Sequence, residues 1–202
     1  MSEITCYNRY VYTKMVDLDL EQITKSCERM RKVIQDNFAN LPHSYEGKGT
    51  ETTYVHSYYN LLLYPYNGFH DLYHAIRTLF FEVNPTNDKY YIQCWLNYFM
   101  KDDYMSWHGH KGVVDNKLDT TNWHGFFCVN CEPSVTTYRI QSTGLLFDID
   151  DKNNQLVLSK SHDDLHRTYP WKQDTPRITI AFDIISQNTL KDIPDLNHWM
   201  PL

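Results

Sequence analysis

The part of the chain that follows Asn84-Pro85 constrains the fold most, because it consists of short segments rich in aromatic and β-branched residues. Turn residues separate these segments, and Asp150 to Asn154 form a clear turn. The segments cover residues 89–100, 123–130, 136–141, 144–149, 155–159 and 177–185. Strands of this length and spacing are typical of an antiparallel sandwich or a jelly roll.

Two helices are predicted in front of these strands. From Asp19, apolar residues recur at three- and four-residue steps as far as Phe38, and Asp19 is a suitable helix cap. A second helix is predicted from about Phe69 to Phe81, and the polar segment 44–53 is predicted to be a loop. The sequence therefore predicts one domain of the α+β class, mainly β, with the helices packed on one sheet. Its parts are a helical and loop region at 1–84, a jelly-roll core at 85–187 and a short C-terminal tail at 188–202.

The composition excludes several classes of protein. Hydrophobic residues make up 42% of the 202 residues and aromatic residues 15%, which is enough for a core and excludes a disordered chain. Asp and Glu number 25 against 19 Lys and Arg, and the basic residues are scattered, so no surface for duplex nucleic acid is evident. No apolar run is long enough to span a bilayer, so no membrane partner is expected. Five cysteines at irregular positions favour reduced thiols and a cytoplasmic location, the host cytoplasm if the protein is viral.

The last predicted strand separates into two faces. Side chains alternate across a sheet, so one face carries only apolar residues, which suit packing under the helices. These residues are Ile178, Ile180, Phe182 and Ile184. The other face carries Arg177, Thr179, Ala181 and Asp183. A cation and a hydroxyl on the concave side of a jelly roll indicate an anionic ligand.

Two histidines at i and i+2, His108 and His110, form the first candidate metal site. In an extended segment both imidazoles lie on one face and can bind one metal together. A third imidazole comes from the segment that contains His162 and His166, directly before the final strand. Imidazole suits iron, zinc, copper or nickel, so the spacing alone does not select the metal. His124 is interpreted as structural, and the carboxylates around Asp150 as part of a solvated hairpin.

Four stretches of the chain carry a resemblance to a known family. They are Trp107 to His110, Trp123 to Ser134, Leu165-His166 and Arg177 to Asp183. Together they resemble the small Fe(II)/2-oxoglutarate-dependent oxygenases, and most closely the short single-domain members from bacteriophage genomes. The resemblance covers about residues 89–185. It implies a double-stranded β-helix (jelly roll, cupin-like), which agrees with the strand pattern.

The resemblance also implies roles for individual residues. His108 and His166 match the first and the distal metal-binding histidines of the family. Arg177 matches the arginine that binds the far carboxylate of 2-oxoglutarate, and a guanidinium binds a carboxylate in a forked geometry. Thr179 matches the hydroxyl residue two positions further on, and Asn97 is a weaker candidate for a contact with the cosubstrate.

One position departs from the family pattern. The usual triad has two histidines and a carboxylate, and the carboxylate stands two residues after the first histidine. Here that position is His110. Three interpretations stay open: His110 completes an all-histidine triad, Asp115 or Asp119 supplies the carboxylate, or the site has lost its activity. Similar His-x-His sequences in the phage members favour the first.

The function implied by the resemblance is that of an Fe(II)- and 2-oxoglutarate-dependent dioxygenase. Such a hydroxylase would act on an unidentified small molecule or side chain, consume dioxygen, and release succinate and CO2. Two alternatives stay open: a cupin-type metalloenzyme with an all-histidine site and no 2-oxoglutarate, and a non-catalytic jelly-roll binding protein. A homodimer through an edge strand or the N-terminal helix also stays open.

Overall fold

The computed structural model describes residues 3–37, 47–48, 51–52, 60–110, 112–114, 117–192 and 198–202. The helices are α1 (Leu20–Asn37), α2 (Phe69–Val83) and α3 (Gln187–Lys191), with a 3-10 turn at Leu61–Leu63. The strands before residue 110 are β1 (Ile4–Tyr7), β2 (Val11–Met15), β3 (Gly47–Lys48), β4 (Glu51–Thr52), β5 (Tyr90–Phe99) and β6 (Tyr104–Met105). The middle strands are β7 (Gly112–Val114), β8 (Lys117–Asp119), β9 (Trp123–Asn130), β10 (Ser134–Ile140) and β11 (Leu146–Asp151). The last are β12 (Gln155–Lys160), β13 (Asp164–Thr168), β14 (Arg177–Ser186) and β15 (Met200–Pro201).

Two sheets face each other and form a double-stranded β-helix. The larger sheet has the order β1-β2-β12-β9-β14-β5-β15, with β4 also paired to β5, and the smaller sheet has the order β11-β10-β13. His108 and His166 exchange two backbone hydrogen bonds, of 3.1 and 2.9 Å, so the segment around His108 extends the smaller sheet beyond β13. Strands that are consecutive in sequence therefore cross between the sheets, as in a jelly roll. This topology confirms the predicted fold class.

The helices cover the outer face of the larger sheet. Gln22 donates its backbone N–H to the Asp19 carboxylate at 3.0 Å, so Asp19 caps α1 as predicted. The buried face of α2 shares one hydrophobic core with α1 and with the apolar face of β14. This core includes Ile23, Cys27, Met30, Leu72, Ile76, Phe80, Ile178, Ile180, Phe182 and Ile184. The predicted orientation of the last strand is therefore confirmed, and its other face points between the sheets.

A second core fills the space between the two sheets. Its residues are Val11, Trp95, Phe126, Cys128, Cys131, Tyr138, Ile149, Val157 and Ala181. β5 was recognisable in the sequence as a nearly continuous hydrophobic run, whereas β14 was recognisable by the alternation of apolar residues with residues of the inner face. The polar residues that share the inner face with this core are the candidates for the functional site.

Several strands were not predicted, namely β1 to β4, β6 to β8, β13 and β15. The hairpin of β1 and β2 lies in the region predicted to be helical or loop, and it adds the outermost strands of the larger sheet. Its turn places Asn8 and Arg9 at positive φ, 53° and 64°. Strand β13, which carries His166, was missed because its sequence is mostly polar. Most of the predicted loop 44–53 lies outside the described residues, and the described part forms β3 and β4.

No helix of the described residues has the length and apolar character needed to cross a membrane.

Gly125 is required where β9 passes between its neighbouring strands β12 and β14. A Cβ atom built on Gly125 would lie 2.1 Å from the Val157 carbonyl oxygen and 2.5 Å from Cζ of Phe182. We therefore expect Gly125→Ala to lower the free energy of unfolding by about 3 kcal/mol, measured by denaturant titration. Gly144→Ala is the control, because a Cβ there meets no atom within 4 Å although φ is +69°. A smaller loss for Gly125→Ala than for Gly144→Ala would contradict the packing described.

Candidate metal centre

His108, His110 and His166 meet on the inner side of the smaller sheet. Each offers one ring nitrogen, and these nitrogens all lie within 4.8 Å of one another. The ring centroids of His108 and His166 are 4.1 Å apart, and those of His108 and His110 are 5.5 Å apart. The backbone bridge between His108 and His166 sets the first distance, and the i, i+2 spacing sets the second. The structure thus brings together the three histidines that the sequence singled out.

A second group overlaps with the first and shares His166 with it. His124, Asp164 and His166 also offer ligand atoms within 4.8 Å of one another, and all three residues are buried. The His124 ring stacks on His110 at 4.5 Å and on His166 at 4.7 Å. The interpretation of His124 as merely structural missed this position. In the sequence, the alternation of side chains along β9 places His124 on the same face as Phe126 and Cys128. Only the pairing of the strands reveals which residues that face meets.

A hydrogen bond orients the imidazole of His108, and a close contact with a carboxylate orients that of His110. His108 Nδ1 donates to the carbonyl oxygen of Ser106 at 2.8 Å, so Nε2 is the ring nitrogen with a lone pair to offer to a metal. His110 Nδ1 lies 2.8 Å from Oδ1 of Asp183 on β14. A histidine that binds a metal commonly donates its other N–H to a carbonyl or a carboxylate. His108 and His110 therefore have the supporting partners that metal ligands require.

The electrostatics of the cluster favour neutral imidazoles. Burial, together with the neighbouring His110, lowers the pKa of His108 to about 4. Burial also holds the pKa of His166 well below its ordinary value, and His108 and His124 add to the effect. Both rings are thus unprotonated at neutral pH, which is the form that binds metal.

The pair of His124 and Asp164 brings a buried negative charge close to these rings. Their contact is 2.7 Å, and Ser159 also donates to the same carboxylate oxygen at 2.8 Å. Burial alone would raise the pKa of Asp164, but His124 and the two hydrogen bonds outweigh it and the pKa lies below its ordinary value. Asp164 is therefore ionised at neutral pH. Its other oxygen, Oδ1, has no hydrogen-bond partner among the described residues.

The donor set fits a first-row transition metal. Neutral imidazoles are good ligands for iron, copper, nickel and zinc, and the nearby Asp164 and Asp183 offset the charge of a divalent ion. Two buried atoms of the cluster, Nδ1 of His166 and Oδ1 of Asp164, have no hydrogen-bond partner among the residues described. Such atoms are costly unless a ligand satisfies them, so the cluster suits a bound cation.

Arg177 lies at the far end of the inner face of β14, and it is already paired. Its Nη2 donates to the Asp151 carboxylate at 2.9 Å, and its Nε donates to the Ser134 hydroxyl at 3.1 Å. The side chains of Arg177 and Asp151 are 4% and 0% exposed, so this is a buried ion pair. The interpretation of the Asp150 region as a solvated hairpin was wrong for Asp151, because the pairing of Asp151 with Ser134 turns its side chain inward.

Three other polar side chains lie between Arg177 and the histidines. Thr179 faces inward on β14, and Asn97 is its partner on β5. Tyr138 stacks on His166 with ring centroids 5.4 Å apart. The Tyr138 hydroxyl and Oδ1 of Asn97 are buried and have no hydrogen-bond partner within the described part of the chain. This inner face therefore offers unsatisfied polar groups to a ligand, and Tyr138 was not singled out in the sequence.

The remaining candidates do not join the cluster. The Asp119 carboxylate accepts hydrogen bonds from Thr121, Ser186 and Thr189, and it belongs to neither metal-binding group of the described residues. Asp115 lies outside the described residues. His162 packs against Tyr10 and is likewise in neither group.

Comparisons with known proteins show what the fold is similar to. No protein-family model matches the chain, and no curated protein matches it. A prolyl-4-hydroxylase from Pseudomonas putida has a TM-score of 0.61 at 13% identity, over 88% of this chain and 92% of that chain. The viral collagen prolyl hydroxylase of Paramecium Bursaria Chlorella virus-1 has a TM-score of 0.57 at 14% identity, over 89% and 98% of the two chains.

A third solved structure extends the comparison beyond hydroxylases. SnoK, a non-heme alpha-ketoglutarate-dependent carbocyclase from nogalamycin biosynthesis, has a TM-score of 0.60 at 7% identity, over 89% of this chain and 80% of that one. At such low identity the likeness shows the fold. The chain thus has the double-stranded β-helix fold of the 2-oxoglutarate-dependent oxygenases.

Proposed function

We propose that this protein is a dioxygenase that depends on Fe(II) and 2-oxoglutarate and hydroxylates an unidentified small molecule or side chain. One observation carries the proposal. His108, His110 and His166 bring one nitrogen each within 4.8 Å of one another, inside the fold that 2-oxoglutarate-dependent enzymes share. Three imidazoles in that position would form a metal site with room for further ligands.

The proposed ligands are all histidines, and a neighbouring carboxylate supplies the charge that the usual triad contains. Oδ1 of Asp183 lies 2.8 Å from Nδ1 of His110. This contact makes the opposite nitrogen of His110 a stronger electron donor. His110 is therefore the third ligand in this proposal, in preference to Asp115 or Asp119.

The bound iron and 2-oxoglutarate would supply the oxidative chemistry, and the chain would position them. His108, His110 and His166 would hold the metal. The pair of His124 and Asp164 would support their rings on the buried side of the site. The side chains of His110 and Asp183 are 17% and 18% exposed, whereas those of His124 and Asp164 are 2% and 0% exposed. We infer that the substrate approaches from the side of His110.

The cosubstrate would lie along the inner face of β14. Its keto acid end would be at the histidines, and its far carboxylate would point towards Arg177 and Thr179. Tyr138 and Asn97 have unsatisfied polar atoms along this path and would hydrogen bond to it.

Asp183→Asn tests the contribution of the supporting carboxylate. The variant keeps the size of the side chain and removes its charge, so we expect metal affinity to fall by about 10- to 100-fold. The affinity is measured by anaerobic titration with Fe(II) or Co(II), and the visible spectrum of the Co(II) form reports on the ligand geometry. Asp174→Asn, at an exposed carboxylate paired with Lys101, is the matched control. An unchanged metal affinity for Asp183→Asn would show that the Asp183 carboxylate does not support metal binding.

The function itself is tested by product formation. The protein with one equivalent of Fe(II), supplied with 2-oxoglutarate and dioxygen, is expected to release succinate in the absence of any added substrate, at a slow rate. His166→Ala removes a buried metal ligand and is expected to abolish both iron binding and succinate release. Succinate release at the same rate by the wild type and His166→Ala would contradict the proposal.

A second candidate is a metalloenzyme with the same histidines and no 2-oxoglutarate. The ion pair between Arg177 and Asp151 favours it, because the cation expected to bind the cosubstrate already has a partner. It predicts metal binding without 2-oxoglutarate binding, so a binding titration separates the two candidates.

The cellular setting is also part of the proposal. All five cysteines are free thiols, and four of them are buried. We infer a reducing compartment such as the cytoplasm, or the host cytoplasm if the protein comes from a bacteriophage.

A further inference from the structure

The environment of Asp151 sets the charge at the far end of the cosubstrate path. Asp151 accepts hydrogen bonds from Ser134 at 2.6 Å, from Thr136 at 3.0 and 3.1 Å, and from Arg177 at 2.9 Å. Both of its oxygens are engaged and its side chain is fully buried. Asp151 and Arg177 therefore form a buried ion pair, in which the negative charge of the carboxylate offsets that of the guanidinium.

The remaining surroundings of Arg177 add no positive charge. Its guanidinium lies over the ring of Phe99, with the carbon 4.7 Å from the ring centroid. Cys128 and Cys131 are buried close by, and burial raises the pKa of the Cys128 thiol well above its ordinary value, so it stays neutral. Thr179 and Asn97 are neutral as well. The far end of the path is therefore polar and has no net charge.

From this charge count we propose that Asp151 determines cosubstrate specificity: it neutralises Arg177, so that the pocket accepts 2-oxo acids with an uncharged polar far end about as well as 2-oxoglutarate. The inference rests on the proposed function. A second carboxylate at Arg177 would have to share the guanidinium with Asp151, and the two buried anions would repel each other. An amide at the same place would receive hydrogen bonds from Arg177 and Thr179 without this repulsion.

The test compares two ligands of nearly the same shape. 2-Oxoglutarate and its 5-amide differ only at the far end, where a neutral amide replaces the charged carboxylate and its NH2 group replaces one acceptor oxygen. Binding of each is measured by calorimetry under anaerobic conditions, with the full chain loaded with Fe(II) or Mn(II). We expect the wild type to distinguish them by less than about tenfold. We expect Asp151→Asn, which frees the charge of Arg177, to shift the ratio towards 2-oxoglutarate by about 10- to 100-fold.

Asp148→Asn is the matched control. It lies on the same strand, but its carboxylate accepts a hydrogen bond from Thr137 on the outer side of the smaller sheet, at 2.7 Å. The ratio of the two affinities is expected to equal that of the wild type. A change as large as that of Asp151→Asn would mean that general charge, and not the pairing with Arg177, controls selectivity, and would overturn the proposal.

The outcomes separate this proposal from the proposed function. If both ligands bind and Asp151→Asn leaves their ratio unchanged, the role of Asp151 is overturned while the 2-oxoglutarate-dependent function stands. If neither ligand binds to the metal-loaded wild type, both are overturned. Should Asp151→Asn fail to fold, the wild-type ratio decides: below about tenfold it supports the proposal, and above that value it overturns it.

Discussion

Arg177→Ala is expected to weaken the binding of 2-oxoglutarate to the metal-loaded protein by at least about 100-fold. The substitution removes the cation at the far end of the path. It also leaves the Asp151 carboxylate buried without its ionic partner, facing the position of the incoming carboxylate. Both effects act in the same direction, so this variant has the largest predicted effect on binding.

The measurement is an anaerobic calorimetric titration, with thermal unfolding followed in parallel to verify the fold. Arg167→Ala is the matched control, because Arg167 lies over Trp107 and Tyr169, away from the inner face. Combining Arg177→Ala with Asp151→Asn removes the unpaired carboxylate and is expected to restore part of the affinity. Equal affinity of wild type and Arg177→Ala would show that the arginine does not anchor the cosubstrate.

The metal-free protein is expected to lose stability as the pH falls from 6.5 to 4. His108 has a pKa of about 4 in the folded protein and an ordinary value of 6.5 when unfolded. Above pH 6.5 the imidazole is neutral in both states and nothing is lost. Below it, the unfolded chain takes up a proton that the folded protein cannot, so the free energy of unfolding falls by about 3 kcal/mol from this residue alone.

Denaturant unfolding at pH 7.5 and at pH 4, with a chelator present, measures this loss. His108→Gln lacks the titrating group, so its stability is expected to fall by about 3 kcal/mol less over the same range. His70→Gln is the control, since the His70 side chain is 80% exposed, and it is expected to behave like the wild type. The same pH dependence in His108→Gln and in the wild type would contradict the burial described.

The strands of the larger sheet were predictable because their physical signal is local. β5 and β9 are buried on both faces and consist mostly of hydrophobic and aromatic residues, and β14 alternates apolar residues with those of the inner face. The face of β14 that packs under the helices followed from alternation alone. In contrast, β1, β2 and β13 mix polar and apolar residues, and tertiary pairing decides their structure.

The candidate site was predictable only where residues are close in sequence or match a family pattern. His108 and His110 are two residues apart, and the resemblance indicated His166. The positions of His124 and Asp151 depend on strand pairing. His124 lies opposite Asp183 where β9 pairs with β14, and Asp151 lies opposite Ser134 where β10 pairs with β11. Such register is fixed by the whole sheet, so the local alternation of side chains did not reveal what His124 and Asp151 face.

The most direct test of the proposed function is whether 2-oxoglutarate binding requires metal. Calorimetry under anaerobic conditions compares the wild type loaded with one equivalent of Fe(II) with the same protein treated with chelator. The proposal predicts saturable binding at one site per chain with Fe(II) and greatly weakened binding without it. Full iron occupancy without any 2-oxoglutarate binding would contradict the proposal and would support the metalloenzyme that uses the same histidines without this cosubstrate.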